Sequence, residues 1–243
     1  MELFYSANVS AGGTTLDSEE SAHCIKVLRH RSGDSINVVD GHGMLYRCTI
    51  LDDNPRAVSF RIDESVENYG SHDYRLHMAV APPKNPDRFE WFAEKATEIG
   101  VDSITPLFGD YSERKIFKPE RVERILISAA KQSHKGTIPT LNPAVSVRQF
   151  IEEHSSDTGA RLICYCDEAE GKTDIMEALR GADRATIMIG PEGDFSRSEI
   201  SLALSSGWKT VSLGDSRLRI ETAAVTATAA MYLLSIGKRQ YKQ

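Results

Sequence analysis

The chain has 243 residues, and at roughly 150 residues per domain this is one large domain or two smaller ones, with two the expectation. Hydrophobic residues make up 40% and charged residues 26%, which excludes a disordered chain; no apolar run approaches the roughly 18 residues of a membrane span, and the N-terminal MELFYSANVS lacks the layout of a signal peptide. The net charge of -6 excludes a globally basic nucleic-acid coat but leaves room for a local basic footprint, on a protein that reads as cytosolic with no membrane partner.

The first 70 or so residues carry short apolar runs between turn signals: SINVVDGHG, LYRCTILDDNPR and AVSFRIDES, punctuated by Gly33-Asp34, Asp40-Gly41 and Asn54-Pro55. This predicts a small β-rich unit. Within it Glu19 to Arg29 places Ala22, Ile25 and Leu28 at helical spacing, so one short helix interrupts the strands. ENYGSHDY, around Gly70, has no periodicity and reads as a linker, giving domains 1–72 and 73–243.

From Leu76 nearly continuous apolar strands alternate with helices, the pattern of an α/β domain with a sheet covered on both faces. LHMAVA is the first strand. Asp87 to Ile99 is a helix with Phe89, Phe92, Ala93, Ala96 and Ile99 on one face and Gly100 just past its end. SITPLF is the next strand, Pro119 to Lys131 the next helix, and IPTLNPAV a connector. RLICYC, ATIMIG and TVSLG follow as buried strands, separated by helices of about three turns at MEALRG and SEISLALSSG. Ser196 and Glu199 form a capping-box pair at the second of these. A terminal helix runs from Glu221 to Ile236 and ends at Gly237.

Several motif-like stretches read as ordinary structure. Gly171-Lys172-Thr173 resembles the tail of a P-loop, but the first glycine would fall at Cys166, which leaves a surface turn. Cys164 and Cys166 share one face of a strand without a second Cys/His pair, so they are core thiols rather than a zinc site, and no metal is expected. With Cys24 and Cys48 they are too few and scattered for a disulfide framework. No H-x-x-x-H, G-x-S-x-G or G-x-G-x-x-G occurs.

Two loops stand apart. Ile189 to Phe195 (IGPEGDF) follows a buried strand and precedes a capped helix, where glycines permit close backbone approach and ligands of open α/β sheets bind. The other reading is two glycines shaping a turn. Leu213 to Ala224 (LGDSRLRIETAA) repeats the situation, with Arg217 and Arg219 crowded against a helix start. Either something anionic is handled there or the turn is merely solvated.

IGPEGDFSRSE and LGDSRLRIETA, in this order and about 20 residues apart, resemble the second and third signature motifs of the RsmE family of knotted SPOUT-class methyltransferases. HCIKVLRHRSGD, Lys84 with EKATEIGV, AAKQSHKGTIP and RLICYCDE also resemble that family, so nearly the whole chain is covered. Asp194 stands where many relatives carry a second glycine after GPEG, and Lys135 where an arginine is usual. The resemblance implies methyl transfer from S-adenosylmethionine to N3 of a uridine in 16S rRNA, either naked or in the assembled small subunit. It implies an α/β fold with an N-terminal PUA-like β-barrel and a C-terminal SPOUT-type domain with a deep trefoil knot, and a homodimer.

By motif, the resemblance places the cofactor near Tyr165, Gly190, Glu192, Gly193, Leu213, Gly214 and Leu218. Uracil N3 begins as an imide N–H, so its proton must leave, and Arg219 is the cation expected to favour the anion. The proton acceptor is Glu221, another carboxylate or water. Lys26, Arg29 and Arg31 form a basic cluster for RNA phosphates, with Lys84, Arg88, Lys131 and Lys135 as companions. Two alternatives stay open: a knotted methyltransferase acting on another RNA atom such as a ribose 2′-hydroxyl, and a silent RNA-binding, ribosome-associated protein.

Overall fold

The computed structural model describes residues 1–113, 115–165 and 172–240. Contacts group the chain into Met1–His72 with Leu126–Ile138, and Asp73–Ile125 with Pro139–Gln243. The grouping of 126–138 with the first unit departs from a single break after residue 72. Its cause is backbone hydrogen bonding: Gly136 N–H donates to Tyr69 O (3.1 Å), Gly43 N–H to Gly136 O (3.0 Å) and Ile138 N–H to Gly41 O (2.9 Å).

In the first unit, β1 (Leu3–Tyr5), β2 (Ser35–Val39), β3 (Leu45–Asp52) and β4 (Ser59–Val66) form a sheet in that order, β1 parallel to β2 and the rest antiparallel. The period-two pattern turns Ile36, Val38, Cys48, Ile50 and Phe60 into one core with Phe4, Val9 and Leu16. The helix anticipated over Glu19–Arg29 is different in kind. Asp17 caps α1 (Ser18–Ala22) by accepting from Glu20 N–H, and the backbone then widens into a π turn over His23–Val27. Leu28 N–H accordingly reaches back five residues to His23 O (3.0 Å), and Arg29 takes a left-handed φ of 63°.

The second unit runs β5 (Arg75–Val80), α2 (Pro86–Ile99), β6 (Ser103–Phe108), α3 (Pro119–Gln132, whose end groups with the first unit), β7 (Thr140–Leu141), β8 (Val145–Ser146), α4 (Val147–Glu153), β9 (Ala160–Cys164), β10 (Thr173–Asp174), α5 (Ile175–Ala178), β11 (Arg184–Ile189), α6 (Arg197–Ser205), β12 (Lys209–Ser212) and α7 (Ile220–Gln240). Its sheet has the order β10-β12-β9-β11-β5-β6-β7, with β8 also on β6, and its pairings are parallel. On α2, Phe89, Phe92, Ala93 and Ala96 are buried as their spacing predicts, with Asn85 as N-cap and Gly100 at the C-cap.

Four expectations change. IPTLNPAV is not a plain connector, since β7 and β8 lie in it. Ser146 then caps α4, unanticipated from sequence, which buries Val147, Phe150 and Ile151. The helix at MEALRG is a single turn, stopped before Gly181 in the left-handed region (φ 82°). Finally, α7 continues through Gly237, and its Ile220–Gly237 stretch, mean hydropathy 1.3, is long and apolar enough by length and composition to cross a membrane. Counting uninterrupted apolar residues overlooks it because threonines are interspersed. Ala224, Ala227, Thr228 and Met231 are buried, and α7 packs on α2, β5 and β11, the place of a core helix.

Candidate functional site

Cys164 of β9 is in register with Ile189 of β11 on one side and Val211 of β12 on the other. The three carboxyl ends are therefore level, and Tyr165, Gly190 and Leu213 leave the sheet side by side. This is the edge at which parallel sheets present loops to ligands.

The loop after β11 is fixed by its own protein partners. A Cβ on Gly190 would meet the Phe195 ring at 3.0 Å, and one on Gly193 would meet Tyr111 Cβ at 2.9 Å. Glycine at these positions is thus demanded by neighbouring side chains, which sequence had ascribed to ligand approach. Asp194 sits at φ 65°, where its N–H donates to Pro191 O (2.9 Å) and its Oδ1 accepts from Phe195 N–H (2.8 Å). That conformation explains both a glycine at this position and the tolerance of aspartate. The capping box forms as spacing predicts. Buried Glu199 also accepts from Asp110 N–H (3.0 Å), and Ser196 Oγ donates to Asp110 Oδ2 (2.6 Å). Glu192 Oε1 accepts from Lys84 N–H (3.0 Å), while the Lys84 ammonium faces Glu113 (3.1 Å).

In the loop after β12, Leu213 and Leu218 are half-buried and Gly214 (φ 103°) has open space above it. Arg217 and Arg219 are exposed. The Arg219 carbonyl accepts from Ala223 N–H (2.8 Å), which sets this arginine at the start of α7. A helix N-terminus favours anions and disfavours cations, so Glu221 suits its place and Arg219 does not by local rules. Glu221 is buried; its Oε1 lies 3.8 Å from Arg88 Nε. A cleft of about 250 Å³ opens here, lined by Asp87, Arg88, Trp91, Glu221 and Thr222. Sequence reasoning missed Trp91 and Asp110. The signal for Trp91 was an aromatic residue off the apolar stripe of its helix. Beside Tyr165, Lys172 Nζ lies 4.5 Å from the ring centroid.

Of the basic residues singled out from sequence, Lys84 and Arg88 belong to this site's surroundings. Lys26, Arg29 and Arg31 are exposed within the first unit, and Lys135 is half-buried there. Lys131 differs: its ammonium is held by Glu20 in a pair whose side chains are only 19% and 11% exposed, so it is not displayed to a phosphate. Cys24, Cys48 and Cys164 are free and buried; burial pushes the Cys24 thiol up to about 11 and the Cys48 thiol to about 12, too high for nucleophiles. Cys166 and Gly171 lie outside the described residues. Among the described residues no group of three or more His, Cys, Asp or Glu is placed to hold a metal ion.

Family models agree with this architecture. Residues 71–232 match an RNA methyltransferase domain, and residues 16–63 an RNA methyltransferase PUA domain. The chain is 30% identical over 225 residues to ribosomal RNA small subunit methyltransferase E of Rickettsia conorii, covering 90% of this chain and 89% of that one. The fold matches the crystal structure of a "probable rRNA-methyltransferase" from Porphyromonas gingivalis with a TM-score of 0.90 and 35% identity, over 98% of this chain and all (100%) of that one. Ribosomal RNA small subunit methyltransferase E from Neisseria gonorrhoeae, bound to S-adenosyl methionine, matches with a TM-score of 0.81 and 25% identity, over 96% and 98% of the two chains.

Proposed function

The chain belongs to the RNA methyltransferase family that includes ribosomal RNA small subunit methyltransferase E, and from that premise we propose that it transfers a methyl group from S-adenosylmethionine to N3 of a uridine in 16S rRNA. The observation that carries this reading is the meeting of both motif loops at level strand ends, with Arg219 set against the favoured sign of charge at the start of α7.

The recess suits the methyl donor: half-buried Leu213 and Leu218 flank the open space above Gly214, an apolar wall for an adenine. Tyr165, Gly190, Glu192, Gly193, Leu213, Gly214 and Leu218 are its contacts. When bound, the donor brings a sulfonium already activated for methyl transfer. The protein's own part is electrostatic and positional. Arg219, a planar guanidinium with several donors, orients the uracil and stabilises negative charge on its carbonyl oxygens. Glu221, two residues on, is the carboxylate of the catalytic pair. Lys26, Arg29 and Arg31 hold RNA phosphates from the first unit, Lys84, Arg88 and Lys135 assist, and contacts of this kind position without reading sequence.

The same reading gives the first unit a PUA-like barrel architecture and the second a SPOUT-type trefoil knot. It also gives a homodimer, and a cytoplasmic reaction on 16S rRNA or the assembled small subunit. Mass mapping of methylated nucleosides in small-subunit rRNA, from cells with and without this gene, tests it. Loss of a single N3-methyluridine is expected; a lost 2′-O-methyl group instead, or an unchanged map, refutes the assignment.

A further inference from the structure

The cleft between the first turns of α2 and α7 contains a polar atom that the fold does not use. Glu221 is 9% exposed, and its Oε2 is buried with no hydrogen-bond partner. A buried carboxylate oxygen left without a donor is costly, so this atom calls for a donor from outside the protein. Trp91 lines the same cleft and is 44% exposed. An indole kept in solvent at the mouth of a cleft is a stacking surface for a planar ring. Helices of 14 and 21 residues both begin here, so two positive helix ends favour a ligand on which negative charge develops. At about 250 Å³ the cleft falls just below the ~300 Å³ at which drug-sized pockets begin, room for one base.

Resting on the reading of the chain as a uridine methyltransferase, we propose that this cleft receives the extruded uracil, its ring against the Trp91 indole and its N3–H donated to Glu221 Oε2. A methyl donor cannot reach N3 of a stacked or paired base, so extrusion into such a cleft is required. The site selects uracil over cytosine, whose N3 carries a lone pair that would face the carboxylate oxygen. Arg88, 3.8 Å from the other carboxylate oxygen, has donors left for a ring carbonyl. In the reaction Glu221 accepts the N3 proton, the electron pair left on N3 forms the bond to the methyl carbon, and the carbon–sulfur pair stays on sulfur. Glu221 then returns the proton to solvent.

Tryptophan fluorescence of the intact protein tests this without relying on turnover. The chain has two tryptophans, and Trp208 is 2% exposed, so it supplies a constant background. Uridine monophosphate should quench Trp91 saturably, with cytidine monophosphate and N3-methyluridine monophosphate binding about tenfold more weakly or worse. In Glu221→Gln, whose amide both donates and accepts, the preference for uridine over cytidine monophosphate should collapse. Trp91→Ala should lose about tenfold or more in kcat/KM, and Trp91→Phe, which keeps a stacking face, should stay above it. Absent quenching, equal quenching by all three nucleotides, or parental kcat/KM in Trp91→Ala overturns the proposal. So does a change in sedimentation of Trp91→Ala, which would assign the indole to a contact between copies. Failure of the underlying reading is separate: the parent protein would then make no N3-methyluridine in rRNA.

Discussion

The carboxylate of Glu192 accepts a hydrogen bond from the backbone N–H of Lys84 at 3.0 Å across 108 residues of sequence. With the Ala81 N–H to Ile189 O bond (2.9 Å), it ties the loop after β11 to the segment leading into α2. The Glu192 side chain is thereby a brace for the cofactor loop, whatever its backbone contacts. Glu192→Ala should weaken S-adenosylmethionine binding about tenfold, the worth of one charged hydrogen bond. Isothermal titration reads this directly, and parental affinity would show that the loop holds its shape without Lys84.

Asp194 occupies a conformation that glycine adopts freely and alanine does not. Asp194→Ala loses the Oδ1 bond to Phe195 N–H and keeps the left-handed backbone, so a loss of about 1 kcal/mol is expected, roughly 2–4 °C in Tm for a chain of this size. Asp194→Gly exchanges that bond for relief of strain and should be near neutral. Equal melting of the two variants would remove backbone conformation as the reason for glycine in relatives.

His77 is held neutral. Burial foremost, and the neighbouring His154, lower its pKa to about 4, while its Nε2 shares a hydrogen bond with Thr105 Oγ1 (2.7 Å) and lies 3.4 Å from Asn142 Nδ2. The unfolded chain protonates a histidine near 6.5 and the folded one near 4, so between these values the unfolded state binds more protons. Stability contributed by His77 is present above about pH 6.5 and is lost as pH falls toward 4, by about 3 kcal/mol at most. Urea denaturation across this window should show the decline, and His77→Gln should flatten it.

What the sequence made legible was whatever local chemistry marks. The α2 boundaries follow from Asn85-Pro86 and Gly100, and the α6 start from Ser196 and Glu199. α4 escaped because it has only a few apolar positions and follows Pro139 and Pro143, which read as a connector. The π turn at His23–Val27 keeps nearly helical spacing, so periodicity cannot distinguish it. Arg219 could be singled out from sequence because it violates a local electrostatic rule. The cleft beside it could not, since Trp91 and Glu221 are brought together only when α2 packs on α7.

Lys131 and the Lys26, Arg29 and Arg31 cluster should separate in solution. Replacing the three exposed residues with alanine removes phosphate contacts, each worth about 0.7 to 0.9 in the log–log salt slope of RNA binding. Lys131→Met should leave that slope unchanged but strand Glu20, at a cost of about 3 kcal/mol in stability. Adding Glu20→Gln should restore much of it. A shallower slope in Lys131→Met would return this lysine to the RNA surface.

Arg219 offers the most direct probe of chemistry. If its guanidinium stabilises the developing uracil anion, Arg219→Lys retains a positive charge but loses the planar fork that addresses a carbonyl oxygen with more than one donor. Activity should therefore fall in the charge-conserving variant, by on the order of a hundredfold for a preorganised donor, with cofactor affinity little changed. The deficit should shrink as pH rises, because hydroxide then removes the N3 proton with less need of the arginine. A structural role predicts otherwise: a loss independent of pH, accompanied by weaker RNA or cofactor binding. Single-turnover methylation over a pH series, at saturating RNA and cofactor, distinguishes the two. Parental rates at every pH would assign Arg219 to neither role and leave the exposed cation at the start of α7 without a catalytic purpose.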